Sequence, residues 1–97
     1  MCYTYKVKIE IENNALKHGL DEEQIRFVFA NPAPGFEGRI RWRDKRKTPP
    51  RYSLIGSEPY GGELIELIYV YTTEGVSIFH ANYLTKQFLK DMKEVKQ

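Results

Sequence analysis

The chain has 97 residues, 41% of them hydrophobic, and its fifteen Lys and Arg against thirteen Asp and Glu leave a formal net charge of +2. That length suits a single domain, residues 1–97, able to bury roughly 60 to 70% of the surface its unfolded form exposes. No apolar run reaches the ~18 residues of a membrane span, M-C-Y-T-Y-K-V-K-I lacks a secretory pattern, and the lone Cys2 can neither close an internal disulfide nor make a structural zinc site; a cytoplasmic protein with no membrane, metal or small-molecule cofactor is expected.

From Tyr3 to Ile11 polar and apolar residues alternate, which predicts a half-buried strand at or near a sheet edge, with Tyr3, Tyr5, Val7, Ile9 and Ile11 on one face. Asn13 or Asn14 can then cap a short helix through Lys17 and His18, ended by Gly19 in the left-handed conformation. His18 would sit at its C-terminus, where a cation is favoured. The next helix is better marked. Asp21 and Gln24 form a capping box, Leu20 and Ile25 a hydrophobic staple, Ile25, Val28 and Phe29 the apolar face, and Asn31-Pro32 the stop. Pro32-Ala33-Pro34-Gly35 reads as a rigid connector rather than a domain boundary.

Phe36 to Arg43 alternates again and puts Arg39, Arg41 and Arg43 on one strand face. A basic turn, Asp44 to Pro50, leads to a short strand, Arg51 to Gly56, and a loop, Ser57 to Gly62. Leu64–Thr72 and Val76–Tyr83 then flank Thr73-Glu74-Gly75, the strongest hairpin signal in the chain, with Gly75 expected at positive φ. The first of these strands is apolar on both faces and belongs mid-sheet. The second sorts Val76, Ile78, His80 and Asn82 to one face and Ser77, Phe79, Ala81 and Tyr83 to the other, turning polar only near its end. Leu84, Thr85 and Leu89 repeat the staple arrangement and open a C-terminal helix that turns Phe88, Leu89, Met92 and Val95 inward. One strand, two short helices, four antiparallel strands and a helix make an α+β fold with helices packed on an antiparallel sheet.

Seven of the fifteen basic residues, Arg39, Arg41, Arg43, Lys45, Arg46, Lys47 and Arg51, fall within thirteen positions, offset only by Asp44. Guanidinium groups bind phosphate oxygens bidentately and lysine adds a movable charge, so the band suits a nucleic-acid backbone or an acidic protein partner. Trp42 within it and Tyr52 directly after it can stack bases, as in single-stranded RNA recognition. The same pattern also suits a solvated edge strand whose charge guards against aggregation. His80, near the helix beginning Thr85-Lys86, is an acid/base candidate whose ordinary alternative is a satisfied core histidine. Tyr69, Tyr71 and Tyr83 can supply protons or orient phosphate, against a default of packing. Glu63 and Glu66 have no spacing that identifies a paired-carboxylate site, and no phosphate-cradling glycine loop or nucleophile elbow is present.

Lys17-His18-Gly19, the capped helix ending Val28-Phe29-Ala30-Asn31-Pro32, the strand Arg51-Tyr52-Ser53-Leu54-Ile55-Gly56, and Leu64 through Tyr71-Thr72 before a glycine turn together resemble the BrnT-like toxins of the RelE/ParE-type group. The resemblance runs from about Tyr5 to Lys90 through short motifs in order. It implies a compact RelE-like fold and the toxin of a type II toxin–antitoxin system, a ribonuclease that cuts RNA without metal and pairs with an antitoxin covering its active face. In that chemistry the ribose 2′-OH attacks the adjacent phosphate, which needs a base, an acid and cations. Arg51 matches the arginine that opens the family's R-[aromatic]-x-x-[aliphatic]-G strand, and His18, Tyr71 and Thr85 match the pattern at their positions. Where the family reads I-S-A-R, this chain has Phe79-His80-Ala81-Asn82. Joined to the reading of the residues themselves, the resemblance gives as the expected site Arg51 on the scissile phosphate, with His80 as acid/base, Lys86 and Tyr83 assisting, and the basic band with its aromatics, Arg39, Arg41, Trp42, Arg43, Lys45, Arg46, Lys47 and Tyr52, denser than the family would have, holding RNA. The alternative is a non-catalytic module of the same fold that binds RNA or protein through the band.

Overall fold

The structure, a computed structural model, describes residues 8–40, 49–59 and 62–94. Five strands, β1 (Lys8–Ile11), β2 (Arg39–Ile40), β3 (Arg51–Ser57), β4 (Leu64–Tyr71) and β5 (Gly75–Tyr83), form one sheet in the order β1-β5-β4-β3-β2. The strand with apolar residues on both faces, β4, is the central one. The four later strands pair antiparallel as their short connections require, whereas β1 joins the edge of β5 in parallel and makes the sheet mixed.

β1 and β2 lie at opposite edges, so the chain between them must cross the sheet. Helix α1 (Glu22–Ala30) makes that crossing over β3 and β4. Its capping box is the one the sequence predicts: Asp21 Oδ1 accepts from Gln24 N at 2.8 Å, and Gln24 Oε1 accepts from Asp21 N at 2.9 Å. Ile25 and Val28 are buried against Leu54, Ile65, Leu67, Tyr69, Val76, Ile78 and Ala81, with Phe29 packed at the margin. Gly56 permits this close approach, since a Cβ there would lie 2.9 Å from Asn31 O and 3.0 Å from Val28 Cγ1.

The opposite face of the sheet is covered by helix α2 (Lys86–Glu94). Thr85 is its N-cap, with Oγ1 accepting from Phe88 N at 3.2 Å. Phe88 and Leu89, together with Leu84 and Phe36, close a second apolar cluster over Ile55 and Ile68. The sheet is thus the middle of three layers. None of the described helices is long and apolar enough to cross a membrane.

Four local expectations change. The first predicted helix is a single 3-10 turn, Asn13–Leu16, preceded by Glu12 without a side-chain cap, so the expected pair of N-terminal helices reduces to α1. Asn13 and Asn14 lie inside the turn rather than at its cap, and Asn14 Nδ2 donates to Phe79 O on β5 at 3.0 Å. Gly19 does take a positive φ, 83°, but Gly75 does not. Gly75 opens β5 beside Lys8, and a Cβ there would run into the Lys8 backbone; close approach, not turn conformation, requires the glycine. Lastly, β5 carries a bulge. Ile68 pairs with His80 but Tyr69 pairs with Ile78, leaving Phe79 as the extra residue.

Candidate functional site

The bulge decides what β5 presents to each face. Before it, Val76 and Ile78 point into the core under α1; after it, Ala81 does, and the exposed Tyr83 lies on the same face, through their pairing with Leu67 and Ile65. His80 and Asn82, expected beside Val76 and Ile78, are paired instead with Ile68 and Glu66 and so stand on the α2 face. One inserted residue moves the histidine to the opposite side of the sheet.

On that face His80 Nε2 lies 2.7 Å from Glu66 Oε2. The Glu66 side chain is 4% exposed and that of His80 27%. The other carboxylate oxygen, Oε1, accepts from Thr85 N at 2.8 Å and Thr85 Oγ1 at 2.9 Å. A buried carboxylate is stable only when its lone pairs are filled, and here three donors fill them. The result fixes the imidazole on one side while the N-cap of α2 is fastened on the other. Phe88 stacks on the His80 ring at 6.3 Å and 14°, and His18 meets its edge at 6.0 Å and 67°. His18 therefore does not terminate a helix as the sequence suggests; the turn before it ends at Leu16, and the ring reaches across to β5.

Arg51 opens β3 and is half-buried, with Cζ 5.2 Å from the centre of the Phe79 ring. Strands β3 and β5 are about 10 Å apart across β4, so the guanidinium needs its length to bridge them. Its seat on Phe79 brings it to the residue next to His80. Arg39 pairs with Ser53, and Ser53 with Ile68, so the register places Arg39 in the cross-strand row that ends at His80. Lys86 begins α2 and is exposed close by, one residue after the Glu66-bound Thr85.

Two predicted members lie elsewhere. Tyr83, 37% exposed, pairs with Ile65 and so belongs to the face opposite His80. Tyr52 stacks on Tyr69 at 5.7 Å and 21° and meets Tyr71 edge-on at 4.9 Å, an aromatic group on the α1 side. Within it, burial and then the adjoining Tyr71 and Tyr52 raise the Tyr69 phenol above its ordinary value. Arg41, Trp42, Arg43, Lys45, Arg46 and Lys47 lie outside the described residues.

Glu66 is the member that sequence reasoning missed. Its signal was a single acid amid the apolar run L-I-E-L-I-Y-V-Y, on a strand covered on both faces. Among the described residues no three His, Cys, Asp or Glu side chains converge as a metal site. In comparisons with known proteins, no family model, no curated protein and no solved structure matches the chain.

Proposed function

We propose that the chain cleaves single-stranded RNA on the α2 face of its sheet, as the cytoplasmic toxin of a type II toxin–antitoxin pair with a BrnT-like, RelE-type fold. The observation that carries this reading is the His80–Glu66 bond of 2.7 Å, in which a buried, anchored carboxylate orients a partly exposed imidazole. With a carboxylate on Glu66, the proton in that bond sits on Nε2, and the Nδ1 lone pair becomes the acceptor. Nδ1 then takes the proton of a ribose 2′-OH. The 2′-oxygen bonds to the adjacent phosphorus, the phosphorus–5′-oxygen bond breaks, and a 2′,3′-cyclic phosphate and a 5′-hydroxyl result. Negative charge grows on the phosphoryl oxygens, and Arg51, seated on the ring of Phe79 beside His80, supplies positive charge there. The basic band from Arg39 to Lys47 holds the strand, and an antitoxin with an acidic surface covers the same face.

Inducible expression of the wild type beside Arg51→Ala and His80→Ala tests this. Growth arrest with degraded RNA is expected for the wild type alone, because losing a general base or a phosphate cation lowers such rates about 10² to 10⁴-fold. Harmless wild-type expression with intact RNA would refute it.

One observation favours a second reading. Glu66 also accepts both Thr85 donors, so the His80–Glu66–Thr85 group fastens α2 whether or not it catalyses. The protein would then be a binding module working through the band. RNA affinity that falls steeply with salt and survives His80→Ala, without cleavage, identifies that case.

A further inference from the structure

Cleavage by 2′-OH attack moves two protons. One leaves the nucleophile, and another must reach the departing 5′-oxygen, which is a poor leaving group as an alkoxide. His80, tied to Glu66, accounts for the first. We infer that His18 delivers the second, an assignment that rests on the nuclease reading above.

The chain contains two histidines, from opposite ends of the sequence, and the fold sets their rings 6.0 Å apart at 67°. The segment that carries His18 is fastened to β5 at several points. Glu12 N donates to Ile78 O at 2.9 Å, Glu12 Oε2 accepts from Ser77 Oγ at 2.7 Å, and Asn14 Nδ2 donates to Phe79 O at 3.0 Å. Ala15 is fully buried on one side of His18, and Leu20 is buried on the other. Gly19, at φ 83°, turns the chain between them. Four residues, Leu16 to Gly19, thus span two anchored points, and the exposed histidine is held on the segment that passes His80.

The two imidazoles differ in ways that suit different roles. His80 is half-buried, and its Nε2 is engaged by a carboxylate, which holds the proton there and leaves Nδ1 as the acceptor. His18 is exposed and meets His80 only by an edge, so water can resupply it with a proton after each turnover. An in-line displacement places the entering and leaving oxygens on opposite sides of the phosphorus. Two neighbouring side chains that reach one phosphate from different directions match that demand.

The test compares a single-stranded RNA oligonucleotide with a nucleoside 3′-(4-nitrophenyl phosphate) diester, whose phenolate departs without a proton. His18→Ala and His18→Gln are expected to lose about 10² to 10⁴-fold on RNA while cleaving the aryl diester within a few-fold of wild type. His80→Ala should lose activity on both. His18 variants that cleave RNA at the wild-type rate, or that fail equally on the two substrates, would overturn the assignment and leave the nuclease reading standing. A wild-type protein inactive on both substrates removes the nuclease reading and the assignment together.

Discussion

Replacing Glu66 by alanine isolates the group that joins the sheet to α2. The substitution removes three hydrogen bonds at once, from Thr85 N, Thr85 Oγ1 and His80 Nε2, at a side chain only 4% exposed. Bonds to a charged group are each worth about 1.5 to 3 kcal/mol. Thr85 is exposed and His80 partly so, and their released donors can find water, which lowers the total. A net loss of about 3 kcal/mol remains, and for a domain of this size it lowers Tm by roughly 12 to 24 °C. Glu66→Gln is the informative companion. Its amide oxygen can still accept from Thr85, while its NH2 changes the partner offered to His80, so the loss should be nearer 1 kcal/mol. Thermal unfolding followed by circular dichroism at neutral pH reads both. A Glu66→Ala protein melting with the wild type would show that the carboxylate does not tie α2 to the sheet.

Raising pH tests the aromatic group on the other face. Tyr69 keeps its proton longer when folded than the unfolded chain does, whose reference value is 10.0; its contribution is therefore complete below that pH and is lost as pH rises above it. Wild-type Tm should fall as pH rises above about 10, and more gently in Tyr69→Phe. Gly75→Ala sets a Cβ against the Lys8 backbone, with Lys8 N 2.7 Å away, and should cost about 1 to 3 kcal/mol by prising β1 from β5; faster hydrogen exchange confined to β1 and its β5 partners is the expected signature. Asp21→Ala removes the capping box of α1 and should lower Tm by about 4 to 8 °C.

What could be read from the sequence was what neighbouring residues settle among themselves. The Asp21–Gln24 box spans three positions, and the Thr85 cap, the hairpin and the edge position of β1 likewise follow from local pattern. The site is not local. His80 and Glu66 are joined across a hairpin, and the alternation that seemed to place His80 beside Ile78 fails because Phe79 bulges, a shift no period-two pattern signals. His18 was misplaced for a related reason. Asn13 and Asn14 have the residue type of helix caps, but both fall inside the turn, where Asn14 Nδ2 donates across to Phe79 O, and a single 3-10 turn leaves no helix end for His18 to cap. Gly75 was located correctly and explained wrongly, since the constraint comes from Lys8 on a strand distant in sequence.

The central claim is that the imidazole held by Glu66 takes a proton from a ribose 2′-OH. End-group analysis of single-stranded RNA incubated with the purified protein tests it most directly. The account predicts fragments ending in 2′,3′-cyclic phosphate and beginning with 5′-hydroxyl, formed by the wild type and lost in His80→Ala. RNA left intact, or cut to 3′-hydroxyl and 5′-phosphate ends, would contradict it.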